Sequence, residues 1–278
     1  MKKIFDTVSI KCSRVTTNAY STSFSLGILC LGRELRDPIY AIYGFVRFAD
    51  EIVDSFHSFN KKELLEHFVE DTYSSIEEGI SLNPILNSFQ HVVHKFGIER
   101  ELIDCFLKSM AMDLSMHQHT AETFDTYIYG SAEAVGLMCL RVFSNRNNDM
   151  YTQLKPHARS LGAAFQKVNF LRDANADFNG MGRTYFPGID LENFDESSKY
   201  KIQQDIERDF EHALTGIKML PQASRFGVYV AYMYYRALFR KIKNTPPESV
   251  LQQRIRIPNR RKATLLAYSY IKHHLNMI

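Results

Sequence analysis

Apolar residues recur at intervals of three and four positions along most of the chain. This spacing places them on one face of an α-helix, and no run shows the sustained alternation that is typical of a half-buried strand. The pattern predicts ten helices, at roughly 9–28, 38–57, 61–79, 86–95, 99–115, 122–143, 149–178, 196–215, 222–243 and 260–276.

Prolines and glycines are few, and they fall between these segments. Asp37 followed by Pro38 predicts a helix start, while Asn83-Pro84 and Pro246-Pro247 mark breaks. Residues 178–199 hold three glycines and a proline and predict a loop. Since no linker or shift in composition divides the chain, we expect residues 1–278 to form one all-α domain.

Composition excludes several classes of protein. The net charge of +3 is too small to favour nucleic-acid binding, and the four cysteines are scattered without a CxxC pair, as in a reduced cytoplasmic protein. The N-terminus lacks a long apolar stretch, and the uncharged run 226–235 is too short to span a bilayer. We expect a cytoplasmic protein with no obligate protein partner, and peripheral membrane contact stays open.

The first candidate site is a polar stripe on the predicted helix 38–57. Tyr43, Arg47, Asp50 and Asp54 follow one another at intervals of four, three and four residues, so they share one narrow helical face. Glu51 falls well round from that face. The stripe therefore presents a phenol, a guanidinium and two carboxylates together.

A second helix, 149–178, carries a similar stripe. Gln166, Asn169, Asp173 and Asp177 share one face, and the residues around them are mainly apolar. A polar stripe on a largely buried helix costs free energy unless its groups find partners.

A divalent cation is the simplest partner for both stripes. Four aspartates facing a common interior repel one another strongly, and oxygen ligands without His or Cys suit Mg²⁺, with Mn²⁺ as an alternative. The predicted metal ligands are Asp50, Asp54, Asn169, Asp173 and Asp177. A single DxxxD pair is usually a solvated helix face, so an unrelated helical scaffold with acidic pairs on its surface stays open as an alternative.

These residues resemble the squalene/phytoene synthase family, the head-to-head prenyl diphosphate synthases. The second stripe continues with Arg172 and, further on, with Arg183 and the sequence Tyr185-Phe186-Pro187, as in the family. The segments YSTSFSLG (20–27), YIYGSAEAVGLM (127–138) and 235–262 also match, so the resemblance covers nearly the whole chain. The first motif is DExxD rather than DDxxD, and Glu133 stands where the family has small residues.

The resemblance implies a single-domain isoprenoid-synthase-type helical bundle around a central apolar cavity. It further implies a Mg²⁺-dependent prenyltransferase that joins two geranylgeranyl diphosphates to phytoene through a cyclopropyl diphosphate, in carotenoid biosynthesis. No Gly-rich dinucleotide fingerprint is found, so NADPH is not expected. The alternatives are a dehydrosqualene or squalene synthase that uses farnesyl diphosphate, and a non-catalytic relative that acts as a binding or assembly factor.

The resemblance also assigns roles to individual residues. The expected catalytic residues are Asp50, Asp54, Asp173, Asp177, Arg47 and Tyr43, and the expected substrate-binding residues are Ser21, Ser23, Arg47, Gln166, Asn169, Tyr235 and Arg254. The candidate apolar walls of the cavity are Phe24, Phe45, Phe48, Leu137, Met138 and Phe165. The small residues expected to make room for a long chain are Gly130, Ala132, Ala134 and Gly136. We expect His91, His94, His117 and His119 to be surface histidines.

Overall fold

The computed structural model describes residues 1–116, 118–181, 184–189 and 193–275, apart from the side chains of 176–181, 259 and 274. The α-helices of these residues are α1 (Lys2–Tyr20), α2 (Thr22–Leu29), α3 (Arg33–Ser55), α4 (Lys61–Glu78), α5 (Pro84–Phe96), α6 (Arg100–Asp113), α7 (Ala121–Ile128), α8 (Ala134–Ser144), α9 (Asn148–Met181), α10 (Glu196–Met219), α11 (Gln222–Lys243), α12 (Pro247–Gln252) and α13 (Asn259–His274). A π-helical segment, Tyr129–Glu133, joins α7 to α8. Within the described ranges there is no strand, which confirms the predicted all-α class.

Each predicted helix is found, but two of them are interrupted, and one further short helix is present. The segment predicted at 9–28 is broken at Ser21, whose extended backbone ends α1 and whose side chain caps α2 by accepting a hydrogen bond from the Phe24 N–H at 3.2 Å. The segment predicted at 122–143 is interrupted by the π-helical segment. The short helix α12 was not predicted, because it has only six residues.

The predicted helix start at Pro38 is wrong. Helix α3 begins earlier, at Arg33, and Pro38 lies inside it. A proline removes one backbone donor from a helix, but the Pro38 side chain is buried, and burial of an apolar ring contributes free energy in the opposite direction. Pro84, in contrast, is the first residue of α5, and Asn83 caps that helix by accepting from the Ile85 N–H at 3.0 Å.

The predicted loop 178–199 is shorter than expected. Helix α9 continues to Met181, and α10 begins at Glu196, where the Asp195 carboxylate accepts from the Ser198 N–H at 2.8 Å. Between the two helices, Thr184 forms an isolated parallel bridge with Gln118. Residues 182, 183 and 190–192 lie outside the described residues.

Two helices position most of the candidate site. Helix α3 packs against α1, α5 and α8, and α9 packs against α8, α10 and the π-helical segment. The α3 core is built around Phe45, which is fully buried and stacks on Phe89 with ring centroids 3.9 Å apart. None of the helices in the described ranges is both long and apolar enough to cross a membrane.

Candidate functional site

A cavity of about 1070 Å³ lies among α2, α3, α9 and α11. Both polar stripes line it, although their side chains come from helices far apart in sequence. The predicted site residues that line this cavity are Ser21, Ser23, Tyr43, Arg47, Asp50, Asp54, Gln166, Asn169, Asp173, Tyr235 and Arg254. The side chain of Asp177 and the whole of Arg183 lie outside the described residues. Every predicted site residue whose side chain the structure describes therefore lines this one cavity.

The first stripe is organised around Arg47. Its guanidinium donates to Asp50 Oδ2 at 2.5 Å, forms an ion pair with Glu51, and lies over the Tyr20 ring at 4.2 Å from the ring centroid. Glu51 itself does not line the cavity, as the helical spacing predicts. Among the described residues the buried Nε of Arg47 has no acceptor, so one charged donor is left for a ligand.

The second stripe is tied together by amide and phenol groups. Tyr235 donates from its hydroxyl to Asn169 Oδ1 at 3.1 Å, and the Asn169 amide donates to Gln166 Oε1 at 3.3 Å. Asp173 lies between two arginines: Arg172 donates to it at 2.5 Å, and the Arg254 Nε lies 2.7 Å from its Oδ1. Burial raises the pKa of Tyr235, so this hydroxyl stays a donor.

The Phe24 side chain connects the two stripes. Its ring centroid is 5.8 Å from that of Tyr43 on α3 and 5.8 Å from that of Tyr235 on α11. Phe165 from α9 completes the group and stacks on Tyr235 at 3.9 Å. Phe24 thus lies between a residue of the first stripe and the tyrosine that hydrogen-bonds to the second, and both stripes line the same cavity.

Tyr43 is a neutral hydrogen-bond donor in this environment. Burial raises its pKa to about 12, and the nearby positive charge of Arg47 and a hydrogen bond with Ser21 offset part of that rise. Ser21 thus has two tasks, since it also caps α2. The neighbouring Ser23 lines the cavity as well.

The prediction of the cavity walls was correct for some residues and wrong for others. Phe24, Phe165, Ala132 and Gly136 line the cavity. The residues that do not line it are Phe45, Phe48, Leu137, Met138, Gly130 and Ala134. Four of these six are fully buried and belong to the core of α3 and α8: Phe45, Ala134, Leu137 and Met138. Phe48 is half-buried against the same core.

Gly130 serves helix packing instead of making room for a ligand. A Cβ atom at this position would lie 2.3 Å from the carbonyl oxygen of Cys105, so the glycine lets the π-helical segment approach α6 closely. Glu133, the charge that departs from the family pattern, also lies outside the cavity lining and forms an ion pair with Arg159 at 2.5 Å.

The sequence did not point to a second polar group on the cavity wall. Tyr127 donates from its hydroxyl to Asp113 at 2.8 Å, and both residues are buried and line the cavity. Burial and the Asp113 charge raise the pKa of Tyr127. Tyr185, the first residue of the Tyr-Phe-Pro sequence, lies beside Tyr127, with ring centroids 5.5 Å apart.

His119 is not the surface residue that we expected. Its ring lies 5.0 Å from Tyr127 and stacks on Tyr185 at 5.7 Å between ring centroids. Burial lowers the pKa of His119. The expectation holds for His91 and His94, which are exposed, whereas His117 lies outside the described residues.

The donor set of the cavity fits a hard divalent cation. The described oxygen ligands are the carboxylates of Asp50, Asp54 and Asp173 and the amide of Asn169, and all of them face the cavity. Among the side chains that the structure describes, no three acidic, His or Cys groups cluster as a metal site. Arginines partner Asp50 and Asp173 instead, and the two carboxylates come from different helices, α3 and α9.

The chain is similar in sequence and in fold to proteins of one enzyme family. The family model described as squalene/phytoene synthase matches residues 17–261. The chain is 28% identical to a phytoene synthase of Arthrospira platensis, over 95% of this chain and 93% of that protein. It is 30% identical to a presqualene diphosphate synthase of Sinorhizobium fredii, over 68% of this chain and 67% of that protein. A crystal structure of a dehydrosqualene synthase has the same fold, with a TM-score of 0.82, 20% identity and 98% of each chain covered.

Proposed function

Since the chain belongs to the squalene/phytoene synthase family of prenyltransferases, we propose that it joins two geranylgeranyl diphosphates head to head to form phytoene, for carotenoid biosynthesis. The observation that supports this reaction is the arrangement of the cavity. Two polar stripes face one cavity, whose lining also includes many apolar and aromatic side chains, among them Phe24, Phe106 and Phe165. Such a cavity can bind a charged head and a long apolar tail together.

The proposed reaction begins with cleavage of an allylic C–O bond, which leaves negative charge on diphosphate. Arg47 and Arg254 donate hydrogen bonds to phosphate oxygens, with the Arg47 Nε already free of protein acceptors among the described residues. Tyr43 adds a neutral donor, since its pKa of about 12 keeps the hydroxyl protonated. These groups stabilise charge where it develops.

Magnesium is part of this proposal. Asp50, Asp54, Asn169 and Asp173, together with Asp177, would hold the metal, and a bound ion would neutralise part of the diphosphate charge. Tyr235 fixes the orientation of the Asn169 amide through the bond described above. No nicotinamide cofactor is needed for phytoene, because the reaction involves no net reduction.

The apolar walls protect the carbocations from water. Phe24 and Phe165 place aromatic faces beside the polar stripes, where they can also stabilise a cation through the ring quadrupole. The first condensation forms the cyclopropyl diphosphate and releases one diphosphate and one proton. The second ionisation releases the other diphosphate, and the loss of a second proton forms the central double bond.

A related reaction on a shorter substrate is the second candidate. The 30% identical relative is named a presqualene diphosphate synthase, and the crystal structure with the same fold is that of a dehydrosqualene synthase. In this version the cavity would take two farnesyl diphosphates. A non-catalytic relative is disfavoured, because the Asp-rich positions of both motifs are intact.

Incubation of the purified protein with Mg²⁺ and either geranylgeranyl or farnesyl diphosphate tests both versions. Diphosphate release is measured, and the extracted hydrocarbons are identified by mass spectrometry. We expect a forty-carbon hydrocarbon from geranylgeranyl diphosphate and much slower turnover of farnesyl diphosphate. A thirty-carbon product made faster would favour the second candidate, and release of diphosphate from neither substrate would defeat both.

A further inference from the structure

The outward face of α13 is apolar. Ile271 is 56% exposed and Leu275, immediately after the helix, is 64% exposed, and Tyr268 and Tyr270 of the same helix are exposed as well. Among the described side chains after residue 262, the other exposed positions are Ala263, Thr264 and Ala267. The solvent-facing side of a helix in a globular protein normally carries charged residues. This side carries none between 263 and 271.

The same region is strongly basic at its start. Residues 254–275 contain no Asp or Glu, whereas the protein as a whole has 31 acidic residues against 34 Lys and Arg. Arg260 and Arg261 are exposed in the first turn of α13, and Lys272 lies near its end, 5.0 Å from the Tyr268 ring. Positive charge, tyrosines and exposed aliphatic groups on one helix are typical of segments that lie in a lipid interface.

Helix α13 is fixed to the bundle beside the cavity. Lys262, in its first turn, lines the cavity and donates to Thr22 Oγ1 at 2.6 Å, and the Tyr234 hydroxyl donates to the Lys262 carbonyl at 3.0 Å. Farther along, Tyr270 packs edge-on against Phe226 of α11, with ring centroids 6.0 Å apart. The apolar face therefore belongs to a helix that is packed on the bundle, and the first turn of this helix lines the cavity.

We propose that α13 docks this protein on the surface of an anionic lipid bilayer. Arg260 and Arg261 contact the phosphate headgroups, and Ile271 and Leu275 enter the boundary between headgroups and acyl chains. The proposal goes beyond the proposed reaction and needs no substrate for its test. If the reaction is as proposed, the helix also keeps the cavity close to the membrane that dissolves its apolar product.

A second copy of the chain is a weaker match for this face. In a two-fold interface the same patch meets itself, so Arg260 and Arg261 of one copy would approach the same arginines of the other. No acidic residue between 254 and 275 is present to balance them. Anionic lipid, in contrast, complements both the charge and the apolar groups.

Vesicle flotation of the full chain without substrate tests the proposal. The vesicles contain phosphatidylcholine alone, or phosphatidylcholine and phosphatidylglycerol in equal amounts. We expect binding only to the anionic vesicles, weakened by added salt. Ile271→Glu and Leu275→Glu should each lower the partition coefficient by about tenfold or more. Leu82→Glu is the matched control, because Leu82 is 91% exposed between α4 and α5, away from α13.

Two results would overturn the docking proposal. One is vesicle binding that Leu275→Glu reduces no more than Leu82→Glu does, with both variants shown to be folded by circular dichroism. The other is self-association in sedimentation equilibrium that Leu275→Glu abolishes while vesicle binding is unchanged, which would make the face an interface between copies. Prenyltransferase assays of the wild-type protein in detergent separate the two proposals, since an inactive wild type that still binds vesicles contradicts only the reaction, and an active Leu275→Glu that no longer binds them supports docking independently of the chemistry.

Discussion

Arg254 and Asp173 form an ion pair across the cavity, with Nε 2.7 Å from Oδ1, although they are 81 positions apart in sequence. Arg172 holds the other side of the same carboxylate. Arg254 is half-exposed, so its guanidinium can turn to a phosphate oxygen when an anion enters. The pair thus balances the charge of Asp173, and it places a charged donor where we propose that diphosphate binds.

Replacement of Arg254 tests whether this residue both pairs with Asp173 and donates to a phosphate oxygen. Arg254→Ala should lower kcat/KM by about a hundredfold, which is comparable with the loss of one donor to a developing anion. Arg254→Lys keeps the positive charge and should recover part of the loss. The recovery should be incomplete, because lysine cannot form the forked contact of a guanidinium. Diphosphate release measured over a range of substrate concentrations gives both constants. Arg208→Ala, at an exposed ion pair on α10, is the control and should behave as wild type. Equal kinetics for Arg254→Ala and Arg208→Ala would remove Arg254 from the site.

The two aspartate stripes make a separate prediction. Asp50→Asn and Asp173→Asn each remove one negative ligand, and we expect turnover to fall by about two or more orders of magnitude. The fold should survive, because Glu51 still holds Arg47 in the first variant and Arg172 and Arg254 are partly exposed in the second. Circular dichroism and thermal unfolding check the fold alongside the assay. Wild-type rates in either variant would show that the metal site is misassigned.

The polar stripes could be predicted from the sequence because they depend on local geometry alone. Helical spacing fixes which side chains share a face, and both stripes indeed line one cavity. The helix break at Ser21 was missed because its signal is a single extended residue inside a continuous apolar pattern. The early start of α3 was missed because tertiary packing overrides the local preference of Pro38.

Sequence patterns did not predict the long-range contacts, and they did not separate core residues from residues that line the cavity. Phe45 and Phe165 have the same side chain on amphipathic helices, yet the first is in the core and the second lines the cavity. The pairing of Tyr127 with Asp113 depends on how α6 meets α7. Hydrophobic periodicity does not predict such a contact between helices, because the contact depends on how whole helices pack.

This distinction between core and wall can be measured. Phe45→Ala removes a fully buried ring that stacks on Phe89 and should lower the free energy of unfolding by about 3–5 kcal/mol. Phe165→Ala should cost less stability but lower the yield of hydrocarbon, because it opens the wall beside the stripes. Urea unfolding and product analysis of both variants give the comparison. The reverse ranking in the two measurements would contradict the assignment.

A buried lysine between α9 and α10 gives a prediction about stability alone. Lys167 is buried and pairs with Asp205 and, at 2.8 Å, with Asp209, whose pKa burial raises despite the lysine. Lys167→Met leaves Asp209 without its charge partner and should cost about 3–5 kcal/mol. Adding Asp205→Asn and Asp209→Asn should restore most of that loss, since no buried charge then remains. A triple variant as unstable as Lys167→Met would show that an unpaired carboxylate is not the cause of the loss.

His119 makes the stability depend on pH on the acid side of neutrality. Burial lowers its pKa in the folded protein, whereas in the unfolded chain an imidazole titrates near pH 6.5. As pH falls through that value the unfolded chain binds the proton first, so stability that is present above about pH 6.5 is lost below it. His119→Phe keeps a ring beside Tyr185 but cannot titrate, and its free energy of unfolding should decline less between about pH 7.5 and about pH 5 than that of the wild type. Exposed His67→Phe is the matched control for the loss of one imidazole, and identical pH dependence in the wild type and His119→Phe would refute the role of His119.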